Sequence, residues 1–212
     1  MKGLSIIAVA ALATSGAAHA AGVGLRAGTT GIGADVAWGI APTLSARVGY
    51  SGLSWNTHLS ETSVRYDAKL KLSNANALLD FSPFGPFRLT GGFIANSNKY
   101  DLTGPSGSFT VNGNAYSSGN LSGTVKSGKS VAPYLGVGYG NVSGLGVNFY
   151  FDLGVMFMGS PKVNINASCG SLSGAQCAQL QSDAAQEARN LETELKRFKY
   201  YPVANIGITI GF

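Results

Sequence analysis

Apolar and polar residues alternate along most of this chain, and the last segment shows the pattern most clearly. Between Tyr200 and Phe212 one parity is mainly apolar, whereas the other carries most of the polar residues and glycines. The first set is Tyr200, Pro202, Ala204, Ile206, Ile208, Ile210 and Phe212, and the second is Tyr201, Val203, Asn205, Gly207, Thr209 and Gly211. Because side chains alternate between the two faces of a strand, this period of two predicts a strand with one apolar face.

The same alternation upstream, interrupted by turn residues, predicts eight strands in all. The first two strands flank a turn near residues 30–31, and the others lie at about 44–56, 63–82, 87–98, 123–140, 145–165 and 200–212. Short turns alternate with longer loops, the longest at about 103–122, as in outer-membrane barrels. A soluble β-sandwich also alternates, but the terminal aromatic residue, Phe212, is typical of bacterial outer-membrane barrels. We therefore predict an all-β fold, an eight-stranded antiparallel transmembrane β-barrel.

The fourth predicted strand departs from the alternation in its first half. Arg65, Asp67, Lys69 and Lys71 have the parity that faces lipid further along the strand. Two explanations remain open. Either a bulge near Ser73 changes the facing of the strand, or the strand projects beyond the membrane.

One segment breaks the β pattern and predicts a short helix in the last extracellular loop. Residues 174–198 are rich in Ala, Gln and Glu and contain no β-branched run. Their apolar positions recur at near-helical spacing: Leu180, Ala184, Ala188, Leu191 and Leu195. A stripe of this kind is more typical of a helix packed on the rim of its own barrel than of a partner-binding helix.

The composition favours a membrane barrel over a soluble domain. Charged residues make up 12% of the chain, apolar residues 45%, and glycines number 30, whereas soluble domains are about 25% charged. After residue 20 no apolar run reaches the roughly 20 residues that a membrane-spanning helix needs. Strands with one face in lipid and the other in a narrow lumen fit this composition.

The first 20 residues have the features of a secretory signal peptide. Lys2 precedes an apolar run from Leu4 to Ala13, and a stretch of small residues closes on an A-x-A site at Ala20. We expect cleavage after Ala20, which leaves residues 21–212 as one outer-membrane β-barrel domain.

Charged and polar residues with the inward parity define the predicted lumen. Those expected to line it, or a path for solutes through it, are Arg26, Asp35, Arg47, Asp80, Arg88, Tyr134, Asn148, Asp152 and Asn205. They cannot face lipid, where an Arg at mid-depth costs about 2–4 kcal/mol, and eight strands enclose just enough room for side chains. Two possibilities remain open: a plug of ion pairs that replaces a hydrophobic core, or a narrow polar path.

The remaining polar features indicate few partners and no cofactor. Cys169 and Cys177 are expected to form a disulfide because the periplasm is oxidising, and two cysteines without a nearby histidine do not make a zinc site. The formal charge of +5 comes mostly from scattered cations, which excludes a nucleic-acid-binding patch. The expected partners are outer-membrane lipid, lipopolysaccharide and small solutes, and the expected state is a monomer.

An enzymatic alternative rests on two residues. Small outer-membrane lipid deacylases pair a His and a Ser two residues apart, as His58 and Ser60 are spaced here. The pair falls in a polar loop of the predicted fold, with no third group to orient the base, so we predict that the protein is not an enzyme. A surface-binding module that uses the long outer loops is a third alternative.

Several motifs resemble one family along almost the whole chain, from about residue 22 to 212. They are GTTGIGADVAWGIAP, KLSNANALLDFSPFGPF, APYLGVGYG, GSPKV and KYYPVANIGITIGF, in that order. In these the chain is similar to the small outer-membrane barrels related to the ornithine-uptake, carbapenem-susceptibility porin, the CarO-like proteins. The resemblance implies an eight-stranded monomeric barrel that admits small or basic amino acids. The expected function is a narrow porin-like channel for small polar or basic solutes, with a closed structural or surface barrel as the alternative.

Overall fold

A computed structural model describes residues 20–61, 64–104 and 107–212, and it describes no side chain between residues 57 and 67. Most of the predicted signal peptide, residues 1–19, lies outside the described residues. The strands are β1 (Ala21–Gly28), β2 (Gly31–Ala41), β3 (Leu44–Glu61), β4 (Val64–Phe84), β5 (Phe87–Asn96), β6 (Lys99–Thr103), β7 (Phe109–Val111), β8 (Asn114–Tyr116), β9 (Asn120–Lys126), β10 (Val131–Gly140), β11 (Gly146–Met156), β12 (Lys162–Ser168) and β13 (Tyr201–Gly211), and the helix is α1 (Gly174–Leu195).

Eight of the strands close into an antiparallel ring, which confirms the predicted barrel. Their order around the wall is β4, β3, β2, β1, β13, β11, β10 and β5, and β5 pairs back onto β4. First and last strands also meet, because β1 pairs with β13 along its length. Closure leaves the ring without a free edge, so each strand finds hydrogen-bonding partners on both sides.

The barrel has a turn end and a loop end. The turn end carries the short connections β2–β3, β4–β5 and β10–β11, together with the meeting of the first and last strands, where the Ala21 amide donates to the Phe212 carbonyl at 3.1 Å. The loop end carries the long connections, β5–β10 and β11–β13, and all of α1. The short β1–β2 turn also lies at this end.

An accessory sheet extends the wall at the loop end. The first half of β4 pairs with β6, β6 with β9, and β9 with β12. The predicted strands at 123–140 and 145–165 are therefore each two strands, β9 with β10 and β11 with β12. The alternation could not reveal these breaks because 127–130 and 157–161 interrupt strands that continue in nearly the same direction.

β4 contains no bulge near Ser73. Its register with β3 runs without a shift from the Leu44–Phe81 pair to the Glu61–Val64 pair. Lys69 and Lys71 keep the outward parity and are exposed on the part of the strand that pairs with β6. The predicted bulge is therefore wrong, and the alternative that remains is a strand that projects beyond the membrane.

The predicted helix is present as α1, which ends at Leu195, three residues before the expected limit. Ser173 caps its first turn, and its side chain forms a capping box with Gln176. Leu180 is fully buried against Val111 and Tyr116 of the hairpin β7–β8, so the helix packs on the outer loops of its own chain, whereas the prediction had placed it on the rim of the barrel. The predicted disulfide, Cys169–Cys177, ties the first turn of the helix to the segment before it. Among the described residues no helix is long and apolar enough to cross a membrane.

The outward face of the ring is apolar, which reverses the arrangement of a soluble protein. Leu135 is 60% exposed and Phe149 is 69% exposed, whereas Arg47 and Asp80 on the inner face are fully buried. Edge-to-face aromatic pairs mark both rims: Phe87 with Tyr139 at the turn end, and Phe157 with Tyr200 at the loop end. A band of apolar side chains between two rows of aromatic residues is the surface that lipid requires.

If the outward apolar face lies in lipid, the cost of placing a charge on it should depend on the depth of the residue in the membrane. Val137 lies in the middle of β10, beside Leu89 and Leu153, and Val131 lies at its loop end. We expect Val137→Arg to lower the free energy of unfolding in lipid vesicles by about 2–4 kcal/mol, and Val131→Arg to lower it by about 0–1 kcal/mol. Urea titrations of both variants measure the difference. Equal effects at the two depths would contradict a lipid-facing wall.

Candidate functional site

Six charged side chains fill the middle of the lumen, one from each of six wall strands. Each of them lies on the inner face, because side chains alternate along a strand and the neighbouring residues face outward. All six are at most 5% exposed: Arg26, Asp35, Arg47, Asp80, Arg88 and Asp152. Three cations and three anions give this set a net charge of zero.

Two arginines and two aspartates form the centre of this set. The Arg47 guanidinium donates to Asp152 at 2.7 Å and to Asp80 at 3.2 Å. Arg88 also donates to Asp152, and its Nε lies 3.7 Å from Asp80 Oδ1. Thr90 donates its hydroxyl to the same Asp80 oxygen at 2.6 Å. Each carboxylate therefore bridges both arginines. We call Arg47, Asp80, Arg88 and Asp152 the ion-pair plug.

A second group lies beside the plug and is joined to it by Tyr150. Arg26 forms an ion pair with Asp35 at 3.0 Å and donates to the Asn76 side-chain oxygen at 2.6 Å. The Tyr150 hydroxyl donates to the other Asp35 oxygen at 2.8 Å. The ring of Tyr150 lies 5.1 Å from the Arg47 guanidinium and 5.3 Å from that of Arg88. Cation–π contact and the hydroxyl hydrogen bond thus make one tyrosine the link between the groups.

Glycines on the inner face make room for these large side chains. A Cβ at Gly207 would collide with the ring of Tyr150, and a Cβ at Gly138 would collide with Arg88. Both glycines share the inward parity of their strands. Part of the glycine content of the chain therefore follows from the narrowness of an eight-stranded barrel.

The loop end of the lumen is closed by polar and apolar side chains. Thr30, in the β1–β2 turn, is buried and donates to Asn205 at 3.0 Å, while Asn74 donates to the Thr30 carbonyl at 2.9 Å. An apolar layer contributed by β4, β5, β10, β11 and β13 lies beside this turn: Leu78, Ile94, Ala132, Tyr134, Met156 and Val203. The cavity left between the layer and the charged groups is only about 10 Å³, roughly the space of one water molecule.

The turn end is open. A vestibule of about 530 Å³ is lined by the turns 41–45, 82–85 and 141–144, and Arg88 lies on its wall. One arginine therefore borders the vestibule and belongs to the ion-pair plug. The described part of the lumen is wide at one end and filled from the plug to the loop end.

Most predicted lumen residues come together, and two lie elsewhere than expected. Tyr134 is buried in the apolar layer, whereas Tyr150 holds the position among the charges. Asn148 lies near the β10–β11 turn, where it donates to the Gly144 carbonyl at 2.7 Å. Alternation had placed both tyrosines and Asn148 on the inner face, but it gives no height along the barrel axis.

The enzymatic alternative remains a prediction. His58 and Ser60 lie in the backbone of β3, paired with Asp67 and Arg65. Their side chains lie outside the described residues, so no geometry bears on a nucleophile and base.

A carboxylate outside the barrel holds the long outer loop to the helix. Asp183 of α1 accepts hydrogen bonds from Tyr116 at 2.6 Å, Asn114 at 2.7 Å and Asn112 at 3.2 Å. Hydrogen bonds from Tyr116 and then Asn114 hold the pKa of the Asp183 carboxyl below its ordinary value of 3.8. Burial, together with the bond to Asp183, raises the pKa of Tyr116 to about 12.

Comparison with solved structures identifies similar barrels. The crystal structure of Acinetobacter baumannii CarO2 has 22% identity and a TM-score of 0.61, and the match covers 91% of this chain and 98% of that one. The crystal structure of Acinetobacter baumannii CarO has 25% identity and a TM-score of 0.61, with 90% and 97% covered. Searches of protein-family models and of curated proteins found no match. The likeness confirms the predicted fold and the predicted resemblance to CarO-like barrels.

The plug predicts a large penalty for removing one charge. Arg47→Met leaves Asp80 and Asp152 with one arginine between them, which we expect to lower the free energy of unfolding by about 3–5 kcal/mol. Adding Asp152→Asn restores charge balance, so the double variant should recover part of the loss. Urea unfolding in vesicles, followed by tryptophan fluorescence, measures both. A single variant as stable as the unaltered protein would contradict the bridging role of Arg47.

The Asp183 contacts predict a pH-dependent outer loop. Because the pKa of Asp183 is lowered on folding, its contribution is fully present above pH 3.8 and is lost as the pH falls through the folded pKa. We expect hydrogen-exchange protection of β7–β8 to decrease over that acid range. Asp183→Asn should reduce the protection already at pH 7, whereas Glu187→Gln, one turn along α1, should not. Equal protection in both variants would contradict the assignment.

Proposed function

We propose that this chain is an outer-membrane β-barrel of the porin-like kind, closed at rest by the ion-pair plug. The supporting observations are the apolar outward face of the closed ring, the six paired charges inside it and the likeness of the fold to CarO. Alternating short turns and long outer loops favour an orientation with the turn end in the periplasm.

The filled lumen is the main observation that supports a closed resting state. The plug, the apolar layer and the Thr30 turn surround a cavity of only about 10 Å³. Separating charges that are buried and paired costs several kcal/mol, on the order of 3–5. Spontaneous opening of the plug is therefore rare, and a steady water-filled pore is not expected at this strand number.

The passage of small polar or basic solutes, such as amino acids, is the finer part of the proposal. Its support is the position of Arg88, which borders the vestibule and holds Asp152. The carboxylate of a zwitterionic solute would replace Asp152 at Arg88. Its ammonium group would replace Arg47 at Asp80, so charge would stay balanced while the plug opens.

Planar-bilayer recordings test both parts. We expect the unaltered protein to show brief, rare openings. Arg47→Ala with Asp152→Ala removes one cation and one anion, leaves Arg88 beside Asp80, and should raise the mean conductance at least about tenfold, since a barrier of 1.4 kcal/mol is a factor of ten. Arg47→Lys keeps the charge and most of the length of the side chain and is the matched control, expected to conduct less than the double variant.

The outcomes test the plug as the barrier, the passage of solutes and the outer-membrane location separately. A double variant that conducts no more than Arg47→Lys would exclude the plug as the barrier. Liposomes loaded with an amino acid that retain it in the presence of the conducting variant would exclude solute passage. A protein recovered from cells outside the outer-membrane fraction would overturn the location.

A further inference from the structure

The accessory sheet places four lysines directly beside one another. In the register of its strands, Lys71 of β4 pairs with Lys99 of β6, Lys99 pairs with Lys126 of β9, and Lys126 pairs with Lys162 of β12. Residues paired in this way project from the same face of a sheet. With strands about 4.8 Å apart, the row is about 15 Å long. We call these four residues the lysine row.

A row of like charges is unfavourable unless something neutralises it. Like charges directly opposite one another destabilise a sheet, and here the arrangement is repeated across three pairs of strands. Among the described residues no carboxylate lies within salt-bridge distance of any lysine in the row. The nearest acid along β6 on that face is Asp101, which accepts a hydrogen bond from Thr124. The row is therefore a concentrated positive charge that the described side chains leave available.

The lysine row faces outward, on the same side as the lipid-facing residues. Along β4 the parity of Lys71 continues without a bulge to Ala75, Leu79 and Phe81, which are exposed on the outer wall. The opposite face of the accessory sheet is turned toward α1, because Leu121 and Ala167 pack there against the cluster that contains Leu180. The helix and its loops therefore leave the lysine face uncovered.

The row lies just beyond the apolar band. Lys71 and Lys99 are each four residues from the last outward residues of the band, Ala75 and Ala95, which corresponds to about 13 Å along a strand. At this height, at the loop end of an outer-membrane barrel, lie the headgroups of the outer leaflet.

We propose that the lysine row binds the phosphate groups of an outer-leaflet glycolipid, the lipid A part of lipopolysaccharide. The inference rests on the proposed outer-membrane location and adds a binding site to it. Lysine side chains that start from neighbouring strands about 5 Å apart can reach one phosphate together, and four of them accommodate a headgroup with more than one. The acyl chains of the same molecule would lie on the apolar wall directly below, where Val131 and Phe93 are exposed.

The test is a titration of the detergent-solubilised protein with lipid A that carries two phosphates, read by native mass spectrometry. The variant Lys99→Gln/Lys126→Gln/Lys162→Gln removes three charges of the row. We expect about fivefold weaker binding for each lysine removed, since one lysine near an anionic surface contributes about 1 kcal/mol. Replacing the same three lysines with arginine should keep the affinity within about threefold, less than the effect of removing one charge.

A matched control removes the same number of charges elsewhere at the loop end. Lys196→Gln/Arg197→Gln/Lys199→Gln alters an exposed cluster after α1 and should change the affinity less than about fivefold, the effect of one lysine. Equal losses in the two triple variants would overturn the proposal, as would equal binding of lipid A stripped of its phosphates. Equal binding of phosphatidylglycerol would show a general attraction for anionic lipid instead of this site.

The folding of the barrel is checked separately in the same samples. Each variant should run at a different gel mobility before and after boiling, as a closed barrel does. If the unaltered protein shows no such change, the proposed membrane barrel fails. If it shows the change but lipid A does not bind, only the lysine row proposal fails.

Discussion

Six buried charges that sum to zero allow the wall of this barrel to turn its apolar side chains outward. An eight-stranded ring has no space for a second layer, so whatever faces inward must fill the lumen by itself. The bridging of Asp80 and Asp152 between Arg47 and Arg88, with Tyr150 against both guanidiniums, fills that space with matched partners. The positions of the inner glycines, the burial of the Thr30 turn and the vestibule at the turn end all follow from where this group lies.

The charged lumen could be predicted from the sequence because alternation is a local property. A strand that shows Leu, Val or Phe at every second position has to place Arg47 or Asp152 on its other face, whatever its neighbours are. The closed ring was predicted from the same alternation, the helix in the last outer loop from a break in it, and the Cys169–Cys177 pair from the expected oxidising compartment, and all three are present.

The height of each side chain along the barrel axis and the register of the strands could not be predicted from the sequence, because both depend on how the strands pair. Parity alone placed Tyr134 and Tyr150 on the inner face alike. In the structure Tyr134 lies in the apolar layer and Tyr150 lies among the charges. The division of two predicted strands into barrel and accessory parts depends on β9 and β12 pairing with each other. The alignment of Lys71 with three lysines far apart in the chain appears only once those strands are in register.

The accessory sheet extends the wall on one side of the barrel, which makes the loop end asymmetric. On one side the accessory sheet extends the wall beyond the ring, while on the other β1 and β2 end in a two-residue turn. A large molecule that approaches the loop end would meet the accessory sheet on one side and this short turn on the other. The short turn around Thr30 is then the place where an external ligand comes nearest to the interior, and a contact there would act on the lumen without touching the longer loops.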